Sequence, residues 1–408
     1  MKIKWTALWV WLIVLALAIS ATAVADDIEV PTVMAIAPCE IPDNEAMAFL
    51  KQMGVGWNLG NTFDAFVDGA SWFRGSDTDI ETAWVGVKTS EALIAAIHDA
   101  GFNTVRIPVS WHEHVSDDFT INEPWLSRVQ EVVDYAINQG MFVILNTHHD
   151  VYAEYYYPNS ANAQTSEKYI TTIWSQLAER FKDYDEHLIF ESLNEPRLKD
   201  TNYEWYFNAT SQECLEAADC INRLNQAFVN TVRPAGGQNA TRYLMVPAYC
   251  AAPENAVSEY FTLPQDTAEN KIIVSVHAYT PYAFALQDGG VSSFETTNFN
   301  QTGDINRFMI SLYNTYISQG IPVVIGEFGA RDKGGNLQDR VNYAAYYAEA
   351  ASARNIPCCW WDNGAFSGSG EIFGLIDRKT ATWKYPEVAE AMTRHGGYDK
   401  VVALWESR

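Results

Sequence analysis

The sequence predicts an α/β protein whose strands close into a (β/α)₈ barrel, and two observations carry this prediction. From residue 50 onward, short apolar runs rich in β-branched and aromatic residues alternate with longer stretches of helical periodicity, and this alternation repeats eight times. Several helical stretches end in a glycine directly before the next apolar run, as helices in strand–helix units commonly do. Eight such units in succession favour a closed parallel barrel of the TIM type.

The eight predicted strands share a short length and an apolar character. They cover Val55–Leu59, Thr104–Val109, Phe142–Thr147, Leu188–Ser192, Tyr243–Pro247, Ile272–His277, Val323–Glu327 and Pro357–Trp361. Amphipathic segments lie between them, at Ser90–Ala100, Trp125–Gln139, Ser166–Lys182, Asp304–Gln319 and Leu337–Asn355. The connection after the fifth strand is the least regular. The runner-up fold is an open doubly wound sheet, but no Gly-X-Gly-X-X-Gly follows an early strand.

The N-terminus predicts an exported chain. Lys2 and Lys4 precede the apolar run Ala7–Ile19, and small residues follow as far as Ala25. This is the layout of a secretory signal peptide over residues 1–25. The alternative is an uncleaved membrane anchor, but the run is shorter than the roughly 20 residues that a spanning helix needs. We therefore expect a secreted, extracellular protein with no membrane attachment after cleavage.

The rest of the chain is predicted to form one domain. Residues 26–45 are rich in proline and read as a lead-in, and residues 46–408 hold the barrel. Neither a Pro/Ser/Thr-rich linker nor an internal repeat divides them. The formal net charge of -24, from 51 acidic and 27 basic residues, disfavours nucleic acid as a partner and is compatible with an uncharged polymer. We expect a monomer.

Six cysteines are compatible with disulfides in an exported chain. Cys214 and Cys220 are the most plausible pair, because they lie close together in a polar, loop-like stretch. Cys358 and Cys359 lie in an apolar run and are expected to be buried thiols. The spacing of cysteines and histidines does not suggest a metal site, and we expect no cofactor.

Polar residues follow nearly every predicted strand at its carboxyl end. In a (β/α)₈ barrel these ends meet on one face, so their side chains converge there. The residues are Asn58 and Asn61 after strand one, Arg106 in strand two, His148, His149 and Asp150 after strand three, Asn194 and Glu195 after strand four, His277 and Tyr279 at strand six, Glu327 in strand seven, and Trp361, Asp362 and Asn363 at strand eight.

Two of these residues are carboxylic acids that suit one reaction. Glu195 and Glu327 end strands four and seven, which face each other across the barrel mouth. Hydrolysis of a glycosidic bond requires such a pair, one to protonate the departing oxygen and one to stabilise or capture the oxocarbenium-like centre. A separation of about 5 Å selects retention through a covalent intermediate.

Seven motifs in this order resemble glycoside hydrolase family five (cellulase family A). They are Gly56–Thr62 (GWNLGNT), Val105–Trp111 (VRIPVSW), Asn146–His149 (NTHH), Leu193–Pro196 (LNEP), His277–Tyr279 (HAY), Ile325–Gly329 (IGEFG) and Trp360–Gly364 (WWDNG). The match spans about residues 50–380. Together with Glu81–Trp84, the first motif is most similar to the branch of endo-β-1,4-glucanases active on cellulose, mixed-linkage glucan and xyloglucan.

The resemblance implies a retaining endo-β-1,4-glucanase that uses double displacement without a cofactor. It implies Glu195 as the acid/base, Glu327 as the nucleophile, Asn194 as the contact to the sugar 2-hydroxyl, Arg106 and Tyr279 as supports of the nucleophile, His148 and His277 as hydrogen-bonding residues of the cleft, and Trp361 as the platform beneath the sugar. His149 is predicted to be the weaker sugar contact of the two adjacent histidines.

The residue types give an independent reason for these roles. A cation such as Arg106 beside Glu327 keeps that carboxylate ionised, whereas the pKa of Glu195, without such a partner, should be raised. Trp361 offers a flat face to the C–H side of a pyranose. Arg106 could instead be a structural ion-pair partner, and His148 with His149 could form a metal site, although hydrogen bonding is favoured.

Aromatic residues also crowd the segment between the first strand and the first helix. Phe66, Trp72, Phe73 and Trp84 could extend a cleft along a sugar chain, or pack on one another in an Ω-loop. Three further tryptophans, Trp57, Trp111 and Trp360, could be core residues. Three rival functions stay open from the sequence: the same chemistry on β-mannan, a carbohydrate-binding barrel without catalysis, and a metal-dependent barrel hydrolase.

Overall fold

The computed structural model describes residues 28–33, 36–368 and 370–407. Eight parallel strands form a closed barrel in which every strand pairs with its neighbours in chain order, and the first strand also pairs with the eighth. The strands are β1 Val55–Leu59, β2 Thr104–Ile107, β3 Phe142–Asn146, β4 Leu188–Glu191, β5 Leu244–Pro247, β6 Ile272–His277, β7 Val323–Phe328 and β8 Cys358–Asp362. The predicted (β/α)₈ TIM barrel is confirmed.

All eight predicted strands are present, and their ends agree with the prediction to within two residues. The largest difference is in β2, which ends at Ile107 rather than Val109. Pro108 follows directly, and proline has no N–H to continue a ladder. Beyond the barrel, β9 Ile376–Asp377 and β10 Thr382–Trp383 form a small antiparallel pair.

Helices lie in the connections between strands, before the first strand and after the last one. They are α1 Glu45–Met53, α2 Glu91–Asp99, α3 Glu123–Ile137, α4 Ala163–Arg180, α5 Gln212–Val232, α6 Pro253–Ala256, α7 Tyr282–Ala285, α8 Phe299–Thr315, α9 Leu337–Ser352, α10 Pro386–His395 and α11 Tyr398–Glu406. Ser90 accepts a hydrogen bond from Leu93 N and caps α2, so the helix begins one residue after the predicted start. The irregular connection predicted after β5 contains a 3₁₀ turn at Tyr249–Ala251 and the single turn of α6.

The barrel is filled by apolar side chains, and every residue of β1 to β8 is buried. Both faces of a parallel sheet are covered in this architecture. Trp57, Trp111 and Trp360 are fully buried, and their indole N–H groups donate to Asp362 Oδ2, Asn146 O and Phe373 O. These three tryptophans are therefore core residues and do not contact sugar.

The amino end of the barrel is closed by α1. Its Phe49 stacks on Tyr243 with ring centroids 3.7 Å apart and meets Phe142 edge-on at 5.2 Å. The segment before α1 lies against the C-terminal helices, where Cys39 N donates to Ala353 O at 2.7 Å. The predicted signal peptide lies outside the described residues. Among the described helices, none combines the length and apolar character needed to cross a membrane.

The cysteine prediction is partly wrong. Cys214 and Cys220 lie on α5 rather than in a loop, and the six cysteines are free thiols, so the expected pair is not bridged. Both side chains are buried against neighbouring apolar residues, and the polar residues between them form the exposed face of an amphipathic helix. Cys358 and Cys359 are buried thiols in β8, as predicted.

Candidate active site

The two predicted catalytic carboxyls meet at the mouth of the barrel. Glu327 lies in β7, and Glu195 follows the end of β4. An oxygen of each carboxyl and a nitrogen of His277 all lie within 4.8 Å of one another. The side chain of Glu327 is 7% exposed and that of Glu195 is 17% exposed. Retaining glycosidases place their two carboxyls about 5–5.5 Å apart, whereas inverting ones leave room for a water between them.

Glu327 is held by two donors, one in β2 and one just after β6. Arg106 Nη1 donates to Oε1 at 2.7 Å, and the Tyr279 hydroxyl donates to Oε2 at 3.0 Å. Burial alone lowers the pKa of Arg106, but the carboxylates of Glu191 and Glu327 raise it well above its ordinary value. The guanidinium is therefore a permanent cation, and together with the Tyr279 hydroxyl it fixes the orientation of the Glu327 carboxyl.

Arg106 also has a structural partner that the sequence reasoning missed. Its Nε donates to Glu191 Oε2 at 2.8 Å, and Glu191 is fully buried at the end of β4. Glu191 Oε1 accepts from Ser275 Oγ at 2.6 Å, and Oε2 also accepts from Asn146 Nδ2 at 3.1 Å. Both interpretations of Arg106 hold, because one guanidinium bridges a buried carboxylate and the carboxylate at the cleft.

Asn146 fixes the proton of His148. Its Oδ1 accepts from Val109 N at 3.0 Å, so its amide nitrogen donates to Glu191 and to His148 Nδ1, the latter at 3.2 Å. Burial, together with the charges of His149 and Arg106, lowers the pKa of His148 well below its ordinary value. A neutral imidazole that accepts at Nδ1 carries its proton at Nε2. His148 is therefore set as a hydrogen-bond donor at Nε2.

Glu195 has a different kind of partner. His277 Nδ1 lies 2.8 Å from Oε1, and Arg197 Nη1 lies 4.0 Å from Oε2. Burial raises the pKa of Glu195, but the hydrogen bond from His277 and the charges of His277 and Arg197 outweigh it, and the net pKa lies below the ordinary value. The raised pKa predicted from the sequence is wrong. His277 comes from a distant strand, so its contact with Glu195 could not be read from the chain order, and the prediction took no account of Arg197, two residues after Glu195.

The partner of Glu195 shows the opposite change. Burial lowers the pKa of His277, but the charge of Glu327 and the hydrogen bond with Glu195 raise it above its ordinary value. His277 Nδ1 is also 3.6 Å from Glu327 Oε2. A proton on this imidazole therefore lies between the two carboxyls. Two groups this strongly coupled titrate as a pair, and the proton belongs to both.

The sugar platform and its polar partner lie beside this pair. Trp361 is in β8, and its ring is parallel to that of His148, at 1° with centroids 5.8 Å apart. A Cβ on Gly60 would lie 2.8 Å from Cζ2 of Trp361, so the glycine lets the indole rest on the backbone after β1. Asn194 Oδ1 accepts from Arg106 Nη2 at 2.7 Å, so the amide nitrogen is the group of this side chain that remains to donate.

His149 lies apart from the carboxyl pair. Its Nε2 is 3.9 Å from Asp64 Oδ2, and its ring contacts Phe66 and Trp84 at centroid distances of 5.7 and 6.0 Å. Burial and the charge of Arg197 lower its pKa to about 4, so it is neutral at ordinary pH. It lines a groove of about 500 Å³ that extends from the site, together with Phe66, Trp84, Val151, Tyr152, Arg197 and Lys199.

The aromatic loop therefore divides into two halves. Phe66 and Trp84 face this groove and contact each other at 5.1 Å, which suits an extension of the cleft. Trp72 and Phe73 pack edge-on at 6.0 Å, and Trp72 is exposed. Phe66 and Trp84 therefore fit the prediction of an extended cleft, whereas Trp72 and Phe73 fit the alternative in which the aromatic residues pack on one another.

Among the residues that the structure describes, two groups of three side chains have the spacing of metal ligands. Glu195, His277 and Glu327 form one, and Asp64, His148 and His149 form the other. In the second group both oxygens of Asp64 accept backbone N–H groups, of Asn61 and Thr62. His148 accepts at Nδ1 and so carries a proton at Nε2. The atoms that would bind a metal ion in this group already take part in hydrogen bonds or carry a proton. This favours the hydrogen-bonding interpretation of the two histidines.

Comparison with known proteins places the chain in a family. The model of the cellulases of glycosyl hydrolase family 5 matches residues 67–367. Endoglucanase A of Clostridium longisporum is 42% identical over 359 residues, which are 87% of this chain and 66% of that protein. The chain thus spans about two thirds of the length of that relative.

Solved structures agree with this assignment. The family 5 lichenase of Caldicellulosiruptor sp. F32 has a TM-score of 0.88 at 54% identity, covering 90% of this chain and 99% of that one. A broad-specificity endoglucanase of Ruminococcus champanellensis, solved with bound cellotriose, has a TM-score of 0.79 at 44% identity, covering 87% of this chain and 100% of that one. The chain belongs to glycosyl hydrolase family 5 and is similar to endoglucanases of that family.

Proposed function

We propose that this protein is a secreted, retaining endo-β-1,4-glucanase that cleaves internal linkages of β-glucans by double displacement. The observation that carries the proposal is the close approach of Glu195 and Glu327, whose oxygens lie within 4.8 Å. The different partners of the two carboxyls support it further. Glu327 faces a permanent cation, and Glu195 faces an imidazole that can give up a proton.

In the first step, a Glu327 oxygen attacks the anomeric carbon while the bond to the leaving oxygen breaks. Glu195 gives that oxygen its proton, so the released sugar leaves as an alcohol. The proton reaches Glu195 from His277 Nδ1, 2.8 Å away. Arg106 and Tyr279 hold the attacking carboxylate in line.

In the second step, a water molecule gives its proton to Glu195 and attacks the anomeric carbon. The ester bond to Glu327 breaks, and the product keeps the β configuration. Trp361 carries the sugar face beneath the reacting bond. The Nε2–H of His148 and the amide of Asn194 donate to its hydroxyls, and the latter suits the 2-hydroxyl, whose hydrogen bond strengthens in the transition state.

We propose cellulose, mixed-linkage glucan and xyloglucan as the substrate class. Two similar proteins are a lichenase and a broad-specificity endoglucanase, which supports β-glucan chains as the substrate. The groove between Phe66, Trp84 and Tyr152 continues the cleft beyond the cleaved bond, and such a continuation suits cleavage inside a chain.

A panel of pure polysaccharides tests the proposal. We expect reducing ends and short oligosaccharides from carboxymethyl-cellulose, mixed-linkage glucan and xyloglucan, with a rapid fall in viscosity that marks internal cleavage. Proton NMR should show the β anomer first. Initial release of the α anomer would overturn the retaining mechanism. Hydrolysis of β-mannan alone would identify mannan as the substrate instead of β-glucan. Binding of polysaccharide without turnover would indicate a carbohydrate-binding barrel.

Secretion and oligomeric state need separate measurements. We propose that the chain is exported and cleaved after Ala25, so N-terminal sequencing of protein from the culture medium should begin at Asp26. Sedimentation should give a single species with the mass of one chain. Retention in the membrane fraction would indicate an anchor instead.

A further inference from the structure

A second polar groove lies on the rim of the barrel mouth, outside the reacting pair. Loops after β1, β2 and β3 form it, and its lining residues are Asp68, His112, Glu113, Tyr152, Glu154 and Tyr155. The lining contains three carboxylates and one imidazole. One ammonium group lies beside it, because Lys199 Nζ is 3.6 Å from the ring centroid of Tyr152, and the carboxylates outnumber it. The groove therefore favours a cation.

His112 is oriented from behind by a buried carboxylate. Its side chain is 4% exposed, and its Nδ1 lies 2.9 Å from Asp150 Oδ1. The same oxygen accepts the backbone N–H groups of Trp111 and His112, at 2.9 and 3.2 Å. A carboxylate oxygen accepts, so Nδ1 carries the proton of a neutral His112, and the lone pair is at Nε2. Metal-binding histidines are typically oriented by a carboxylate in this way.

The Nε2 atom points at a carboxylate without bonding to it. It is buried and has no hydrogen-bond partner among the described residues, and the Asp68 Oδ1 atom lies 3.8 Å away. That distance is too long for a hydrogen bond. One metal ion can nevertheless contact both atoms, because zinc lies about 2.0–2.1 Å from nitrogen and about 2.0–2.2 Å from oxygen, and these two bond lengths add to more than the observed separation.

The surroundings carry negative charge. Asp68, Glu113 and Glu154 line the groove, and Asp150 lies directly behind His112. A divalent cation would relieve their mutual repulsion. The imidazole nitrogen selects a transition metal over calcium or magnesium, which prefer oxygen ligands.

We propose that His112 and Asp68 bind a divalent transition-metal ion of the zinc type, with Asp150 orienting His112 and with Glu113 and Glu154 adding charge to the same groove. The ion ties the loop that carries Asp68 to the segment after β2. That loop also carries Phe66 and Trp84, so the metal stabilises the rim of the cleft and takes no part in bond cleavage.

Thermal unfolding and metal binding test the proposal. The full chain is treated with a chelator, desalted and titrated with Zn²⁺. At about 100 times the dissociation constant, one bound ion should raise the Tm by about 3–5 °C. Cobalt should bind in the same one-to-one ratio and give visible absorption bands. Because Asp68 is exposed, Asp68→Asn keeps the fold, and it should abolish both the Tm shift and the bands.

Two further variants separate this site from others. His112→Gln removes the nitrogen ligand and should also abolish binding, whereas His187→Gln, which alters a surface His–Asp pair with a 3.0 Å contact, should not. The two groups of metal-spaced residues at the cleft are tested with His149→Gln and Glu195→Gln. Loss of binding in either of these, with binding kept in Asp68→Asn, would overturn the proposal. Absence of stoichiometric binding to the chelator-treated protein would overturn it too.

Discussion

The two sides of the cleft hold the same residue type in opposite ways. Glu327 bonds to a guanidinium and a phenol, neither of which loses its proton near neutral pH, and the guanidinium is itself shared with Glu191. Glu195 bonds to His277, whose proton is exchangeable. One carboxyl therefore lies in a fixed electrostatic field and the other lies on a proton-transfer path. Two identical carboxyl groups thus differ in role because their hydrogen-bond partners differ: Glu327 is suited to nucleophilic attack and Glu195 to proton transfer.

The largest loss of activity should come from removing Glu327, the carboxyl held by Arg106 and Tyr279. Glu327→Ala should lower kcat by about 10⁴-fold or more on both polymer and aryl β-cellobioside, because a good leaving group cannot replace a nucleophile. Added azide should enter directly and give the α-glycosyl azide. Glu179→Gln, which alters a surface ion pair with Lys182, is the control and should stay close to wild type. A β-glycosyl azide from Glu327→Ala would exchange the two roles.

Removing the proton-transfer side should discriminate between substrates. Glu195→Ala should lower kcat/KM on polymer by about 10²–10⁴-fold, the usual contribution of a general acid. A dinitrophenyl β-cellobioside should still give a burst of phenolate, because its leaving group needs no proton, and azide should then yield the β-glycosyl azide. Equal losses on the two substrates, with no burst, would mean that Glu195 only binds sugar.

A smaller loss of activity should follow from changing Glu191, the second carboxylate that binds Arg106. Glu191→Gln keeps the shape but replaces a carboxylate that accepts from Arg106, Asn146 and Ser275. We expect kcat to fall about 10²-fold with KM little changed, since the guanidinium shifts relative to the nucleophile. Ser275→Ala, which removes a single hydrogen bond to the same carboxylate, should lose less. Wild-type kcat in a folded Glu191→Gln protein would show that the contact between Arg106 and Glu327 suffices alone.

The smallest effect concerns stability and pH. The pKa of His277 is raised in the native state, so its contribution to stability is full below its unfolded pKa and disappears as pH rises through the native value. The pKa of Glu195 is lowered, so its contribution is lost as pH falls through its native value. Urea midpoints of wild type and His277→Gln should therefore differ more at pH 6 than at pH 9, with surface His98→Gln as control. A difference that grows with pH would reverse the assignment.

The fold was predictable because its signals are local. Alternating apolar runs and helical stretches depend on neighbouring residues, so the starts of β1, β2, β3 and β4 agree with the prediction. The site was predictable for a related reason. Residues at the carboxyl ends of parallel strands must converge, and Arg106, Glu327 and Tyr279 do.

What could not be predicted depends on distances across the barrel. Glu191 lies inside an apolar strand, and its bonds to Arg106 and Ser275 join β4 to β2 and β6. A charged residue within a predicted strand was the available signal, because such a group is buried only when it is paired. The pKa of Glu195 was mispredicted for the same reason, since His277 comes from a strand 82 residues away in sequence.

The missing side chain at Gly60 limits how the cleft can change. Because the indole of Trp361 packs directly on the main chain at Gly60, the position of the sugar platform is set by the strands of the barrel and not by the rotamer of a neighbouring side chain. Laboratory evolution toward new polymers would therefore act on rim positions such as Phe66 and Trp84, while any larger residue at position 60 displaces the ring. Substrate range can then diverge while the geometry around the cleaved bond stays constant.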